Sequence, residues 1–152
     1  MYGESIMLKL SNKGLYGIKA LYELARNYGG LPVTIREISE HHGMPVPFLV
    51  QVLHRLRQAG IVESRRGING GYLLSRSPEA ITLGDAVRAL EGPIALCDCL
   101  QQVAPGQLDR ITGCVASSIY RRLGQEVEKA FDSVTLQELA AQAPEKTSVG
   151  KC

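Results

Sequence analysis

The 152-residue chain contains no apolar run near the roughly 18 residues of a membrane span, and its N-terminus lacks the charged-then-apolar order of a secretory signal. We therefore expect a cytoplasmic protein with no membrane partner. It also lacks a general base beside a nucleophile, and its clustered glycines do not lie between a strand and a helix as a dinucleotide fingerprint requires, so an enzyme is not expected. Net charge is small, at +2, so bulk electrostatics announce no polyanionic partner. Cysteine is sparse, with residues at 97, 99, 114 and 152 only. In a cytoplasmic chain, four cysteines argue against a disulfide framework and leave buried thiols, a metal or cluster site, or redox chemistry.

The small net charge hides an uneven distribution. Residues 1–92 carry 11 Lys/Arg against 8 Asp/Glu, a balance of +3, whereas residues 93–152 carry 6 against 7, a balance of −1. Between 55 and 76, Arg55, Arg57, Arg65, Arg66 and Arg76 are opposed by Glu63 alone. The length suits one domain with an appended element.

Residues 1–6 show no pattern, and Met7 is itself a plausible start, so the first six are set aside as an extension. Ser11 is a plausible N-cap for a helix carrying Leu15, Ile18, Leu21, Tyr22 and Ala25 at helical spacing, stopped by Gly29-Gly30. Thr34-Ile35-Arg36-Glu37 forms a capping box that opens a short helix with Ile35 and Ile38 inward, closed at Gly43. His41 and His42 sit at its C-terminal end, where cations favour the helix dipole, and with no cysteine or carboxylate at ligand spacing beside them they are not expected to hold a metal. A third helix begins at Pro45 or Pro47, buries Leu49, Val52, Leu53 and Leu56, and ends at Gly60.

A short helix, a glycine turn and a longer helix form a helix-turn-helix pattern. Directly behind it, Arg65-Arg66-Gly67-Ile68-Asn69-Gly70-Gly71-Tyr72 lies between the apolar runs Ile61-Val62 and Tyr72-Leu73-Leu74. This reads as a hairpin with two cations at its tip and glycines 67, 70 and 71 free to take positive φ. Such a wing can bring arginine into a narrow minor groove; the alternative is an ordinary solvated turn. When the third helix buries its apolar stripe, Val46, Val50, Gln51, His54, Arg55 and Gln58 are left for a partner. Gln51 suits adenine and Arg55 a phosphate, the alternative again being a solvated face.

Thr82-Leu83-Gly84-Asp85 is a second capping box, opening a helix that buries Leu83, Ala86, Val87 and Leu90 and ends at Gly92-Pro93. Residues 93–113 read as a loop too long to be mere connection, and this loop contains Cys97-Asp98-Cys99. Beyond it Val115, Ile119, Leu123, Val127, Ala130, Phe131 and Val134 mark one face of a long helix with no evident partner in so small a domain. Such a helix most simply pairs with its own copy. Thr135-Leu136-Gln137-Glu138 starts a last short helix. The expected fold is mainly α with a small β-hairpin. It divides into a winged helix-turn-helix domain (7–92), a cysteine-containing sensor loop (93–113), a dimerisation helix with a short terminal helix (114–143) and a disordered tail (144–152).

Three stretches, Leu10-Ser11-Asn12-Lys13-Gly14-Leu15-Tyr16-Gly17, Leu53 to Val62 and Arg66-Gly67-Ile68-Asn69-Gly70-Gly71-Tyr72-Leu73-Leu74, resemble the IscR-type winged-helix regulators of bacteria, over about Leu8 to Ala140. The resemblance implies a homodimeric transcriptional regulator on a pseudo-palindromic site in double-stranded DNA. In many members it also implies an iron–sulfur cluster near the dimerisation helix, here expected as 2Fe–2S. Arg66 falls on the family's minor-groove arginine and Gln51 on a base-contacting position, whereas Val50 stands where the cluster-assembly regulator has glutamate. The DNA-binding set expected is Pro47, Val50, Gln51, Arg55, Arg65, Arg66 and Asn69. Cys99 matches the first cluster cysteine of the family and Cys114 the third. The middle one is absent, and Ser117 replaces a histidine that often follows. Cys97 adds a thiol two residues before Cys99, so Cys97, Cys99 and Cys114 form the expected iron-ligand set. A carboxylate, a partner subunit or a small thiol would be the fourth ligand. The alternative is a cluster-free regulator that senses sulfur or redox status through thiols or by docking a metabolic enzyme.

Overall fold

The computed structural model describes residues 10–94 and 117–142. Several expectations lie outside those residues: the four cysteines, most of the 93–113 loop, the start of the long helix at 114–116 including Val115, the 144–152 tail and the N-terminal extension. The described chain forms α1 (Asn12–Arg26), α2 (Ile35–His42), α3 (Val46–Gln58), β1 (Val62–Arg65), β2 (Gly71–Leu74), a 3-10 turn (Pro78–Ala80), α4 (Leu83–Glu91), α5 (Ser117–Ser133) and α6 (Leu136–Ala141). It is the winged helix-turn-helix arrangement expected, mainly helical with one antiparallel hairpin.

Each cap follows from local chemistry. Ser11 accepts a hydrogen bond from the Gly14 amide, and Thr34, Thr82 and Thr135 each complete a reciprocal box with Glu37, Asp85 and Glu138. In the turn between α2 and α3, Gly43 adopts φ 62°, and the Ser39 hydroxyl donates to the Met44 carbonyl at 2.6 Å. The face of α3 turned inward carries Leu49, Val52, Leu53 and Leu56, all fully buried. Helix α1 is shorter than the glycine pair suggested, ending at Arg26, and of its expected face Leu21 and Ala25 are buried. Gly14, Gly17, Ala20, Leu21, Leu24 and Ala25 are buried, while Leu15, Ile18 and Tyr22 are only half-buried. Glycine is needed at position 17, because α4 lies so close that a side chain there would collide with Leu90.

The hairpin pairs Val62 with Leu74 and Arg65 with Gly71. Ile61 is buried but precedes the ladder, and Arg65 is its last rung rather than part of the tip. Val33 adds a rung, donating to the Tyr72 carbonyl (2.9 Å) and accepting from its amide (2.8 Å). Gly67 (φ 116°) and Gly71 (φ 154°) take the positive φ expected, but Gly70 does not. Its glycine is required by space, since a Cβ there would lie 2.5 Å from the Arg65 carbonyl oxygen.

The long helix has a partner that the sequence did not reveal. Part of α5 packs on α4, where Arg88 bonds Asp132 (2.7 Å), Glu128 (3.1 Å) and, within α4, Asp85 (3.3 Å). Asp132 approaches because Gly84 has no side chain. Toward its N-terminal end α5 is different, with Ile119 (53%), Tyr120 (40%) and Leu123 (45%) exposed. Helix α6 folds back against α1, with the Leu83 amide bonding Val134 (2.8 Å), the Leu136 amide bonding Ile81 (2.9 Å), and Leu136 fully buried in the winged unit's own core. A cut at residue 92 therefore does not separate two cores.

Candidate nucleic-acid interface

Helix α3 is held by its buried stripe and by an edge-to-face contact between Phe48, in its first turns, and Tyr16 of α1, with centroids 5.2 Å apart. Its C-terminal end is tied to the hairpin, because Arg57 donates to the Ser64 hydroxyl at 3.2 Å. Two rigid elements are thus fixed against each other, α3 and the wing.

All seven residues expected at the interface are exposed: Pro47, Val50, Gln51 and Arg55 on α3, Arg65 at the end of β1, Arg66 at the entry to the turn and Asn69 within it. Pro47 occupies the second position of the helix. The five arginines between 55 and 76 separate into two kinds. Arg57 braces the hairpin, and Arg76 straps the domain by donating to the Ala80 and Gly60 carbonyls and lying 3.5 Å from Asp85. Arg65 reaches Glu63 at 3.6 Å across a solvent-exposed gap, a pair of little strength. Arg55 and Arg66 make no ion pair among the described residues. The Gly67 carbonyl accepts from the Gly70 amide at 3.0 Å, closing the wing tip with Ile68 fully exposed. Gln51, His54, Arg55 and Gln58 also line a shallow hollow beside Ala89 of α4.

Nothing at this surface is a catalytic constellation. His41 and His42 both face a carboxylate that the sequence reading missed: Glu23 of α1 lies 3.4 Å from His41 Nδ1 and 3.0 Å from His42 Nε2. Among the described residues no group of three metal-ligating side chains converges. The Arg88 cluster was missed as well. Asp85 and Arg88 at i, i+3 and Glu128 and Asp132 at i, i+4 were its only sequence trace, two charged helix faces with nothing to say that they meet. Arg88 holds the Asp132 carboxyl below the usual carboxylate range, and Asp132 in turn raises the Arg88 guanidinium.

Residues 10–142 match the family model Rrf2, described as an iron-dependent transcriptional regulator. The chain belongs to the Rrf2 family. Among Rrf2 relatives, the HTH-type transcriptional regulator CymR of Bacillus subtilis is 36% identical over 134 residues, covering 88% of this chain and 91% of CymR. IscR of Yersinia enterocolitica is 31% identical over 132 residues, covering 87% and 79%. The solved structure of CymR, the global cysteine regulator of B. subtilis, superposes with a TM-score of 0.72 over 88% of this chain and 97% of CymR. That of T. potens IscR superposes with a TM-score of 0.71 at 35% identity over 94% of each. This Rrf2 protein is accordingly a DNA-binding transcriptional regulator and not an enzyme.

Proposed function

We propose that the chain works in the cytoplasm as a homodimer on a pseudo-palindromic promoter site, and that its occupancy of DNA follows the state of Cys97, Cys99 and Cys114. The observation that carries the dimer is the exposed apolar surface of Ile119, Tyr120 and Leu123 on a helix that, among the described residues, is fastened by ion pairs toward its other end. Two copies of such a surface bury each other under two-fold symmetry. DNA then meets Val50 and Gln51 in the major groove, Arg55 at a phosphate and Arg66 in the minor groove, with Pro47, Arg65 and Asn69 alongside.

The cysteine segment leaves the end of α4 and returns at α5, two helices that are packed together. The end of α4 is itself anchored, since the Glu91 carboxylate accepts from both the amide and the hydroxyl of Ser11 at the start of α1. The fastened part of α5 therefore moves with the winged unit, and the loop's state acts on the exposed part and on the angle between protomers. Three thiols, two of them as C-x-C, are soft donors of the kind that suits an iron–sulfur cluster, 2Fe–2S by family resemblance, and Cys97, Cys99 and Cys114 would hold it. When bound, such a cluster supplies a redox-sensitive cross-link of the loop. A second reading, thiol or partner sensing of sulfur status without a cluster, is favoured by the missing middle cysteine and by Ser117 in the histidine's place. The likeness to a global cysteine regulator supports it too.

Anaerobic reconstitution with iron and sulfide, followed by absorption between 300 and 600 nm and by DNA affinity on the same sample, separates the two. The cluster reading expects a chromophore that Cys99→Ala and Cys114→Ala abolish, an affinity change of roughly 5- to 150-fold, and a silent Cys152→Ala. Absence of iron uptake removes it in favour of the thiol or partner reading.

A further inference from the structure

We infer that Val46 and Val50 are specificity determinants that read thymine 5-methyl groups in the major groove, which deepens the DNA-binding reading of α3 and rests on it. The two side chains stand one turn apart on the exposed side of α3, at 44% and 43% exposure. Neither belongs to the buried core. The core side of the helix is already filled by Leu49, Val52, Leu53 and Leu56, and β-branched residues are poorer helix formers than the alanine, leucine or glutamate that would serve at a merely solvated position. Two apolar side chains lie beside Gln51 and Arg55, on a helix braced to a wing that offers Arg66, so the surrounding charge suits a polyanion. Within the major groove the only apolar group a base pair presents is the thymine methyl.

Residues at i and i+4 place their Cβ atoms about 5–6 Å apart, and base pairs rise about 3.4 Å, so the two valines span methyl groups one or two steps apart. A carboxylate at position 50 would instead accept from the cytosine N4 amino group, which valine cannot do. The half-site is therefore expected to carry thymine facing the two valines, next to an A·T pair in reach of Gln51.

The test is selection of sites from a randomised duplex pool with the full chain at fixed salt, followed by resynthesis with deoxyuridine replacing thymidine one position at a time. This swap removes the methyl group and leaves base pairing unchanged. One or two positions per half-site should lose about fourfold in affinity, the worth of one buried methyl-sized group. Val50→Ala and Val46→Ala should each still bind but become indifferent to the swap at one position. A selected site indifferent to every thymine-to-uracil swap, or a sensitivity unchanged in both alanine variants, overturns this assignment and leaves DNA binding intact. A pool from which no site is enriched overturns both.

Discussion

Replacing Arg88 with alanine probes the joint between the winged unit and α5. Its guanidinium bonds Asp132 at 2.7 Å and Glu128 at 3.1 Å on α5, and Asp85 at 3.3 Å on its own helix. The side chain is one-third exposed, so each pair belongs near the surface range of about 0.2–1 kcal/mol rather than the buried one. Three pairs, together with the repulsion among the three carboxylates left behind, give a loss of about 1–3 kcal/mol. For a chain of this length that corresponds to a fall in Tm of about 2–10 °C. The pH dependence supplies a second readout. Arg88 lowers the folded pKa of Asp132, so this stabilisation is fully present above the unfolded carboxylate value of about 4 and is lost as pH falls through the folded value. Thermal melts by circular dichroism should thus show the full gap between wild type and Arg88→Ala at pH 7 and a narrowing gap below about pH 4. An unchanged Tm at pH 7, or a gap that widens in acid, refutes the reasoning.

Three further outcomes are expected. Arg66→Ala should weaken binding to a selected operator by about 1–3 kcal/mol with no change in melting temperature, and an unaltered gel-shift affinity at fixed salt would take Arg66 off the DNA surface. Ile119→Glu puts an unpaired charge into the proposed dimer seam and should yield monomers in analytical ultracentrifugation; a dimer that binds DNA as before rules the seam out. Leu136→Ala should cost about 2–5 kcal/mol in urea unfolding, because the residue is fully buried among winged-unit side chains, and a loss below about 1 kcal/mol would show that α6 is peripheral.

What was legible in the sequence was what is local. The caps at Ser11, Thr34, Thr82 and Thr135 could be read because a cap and its partner lie three residues apart. The buried stripe of α3 could be read because four large apolar residues repeat at helical spacing. The buried face of α1 was read in part: Leu21 and Ala25 are buried as expected, but the approach to α4 is made at Gly14 and Gly17, which carry no periodic hydrophobic signal. The partners of Val33 and Glu23, and those of Arg88 on α5, lie 18 to 44 residues away, beyond any pattern of spacing. For the interface, exposure of Gln51, Arg55 and Arg66 followed from subtracting the core, but the separation of bracing arginines from free ones did not. Arg57 and Arg76 differ from Arg55 and Arg66 only in what the folded chain brings beside them.

These long-range contacts also bear on the proposed coupling between the cysteine segment and DNA. Helix α4 packs on α1, α3 and α5. The recognition helix, the N-terminus of α1 and the fastened part of α5 therefore all meet one short element whose end is held by Ser11. An element gripped on three sides transmits displacement as a body, because packed interiors deform little. Within one chain the position of α3 is then nearly fixed, and the freedom left to the proposed dimer lies between its two protomers. In the proposed dimer two recognition helices would have to fit two major-groove faces at once, so a small rotation about the Ile119–Leu123 surface would act on both half-sites together. It follows that Arg88→Ala should change more than stability: by loosening α5 from α4 it should weaken the proposed dependence of DNA affinity on the cysteines while leaving the affinity of α3 for a single half-site unaltered.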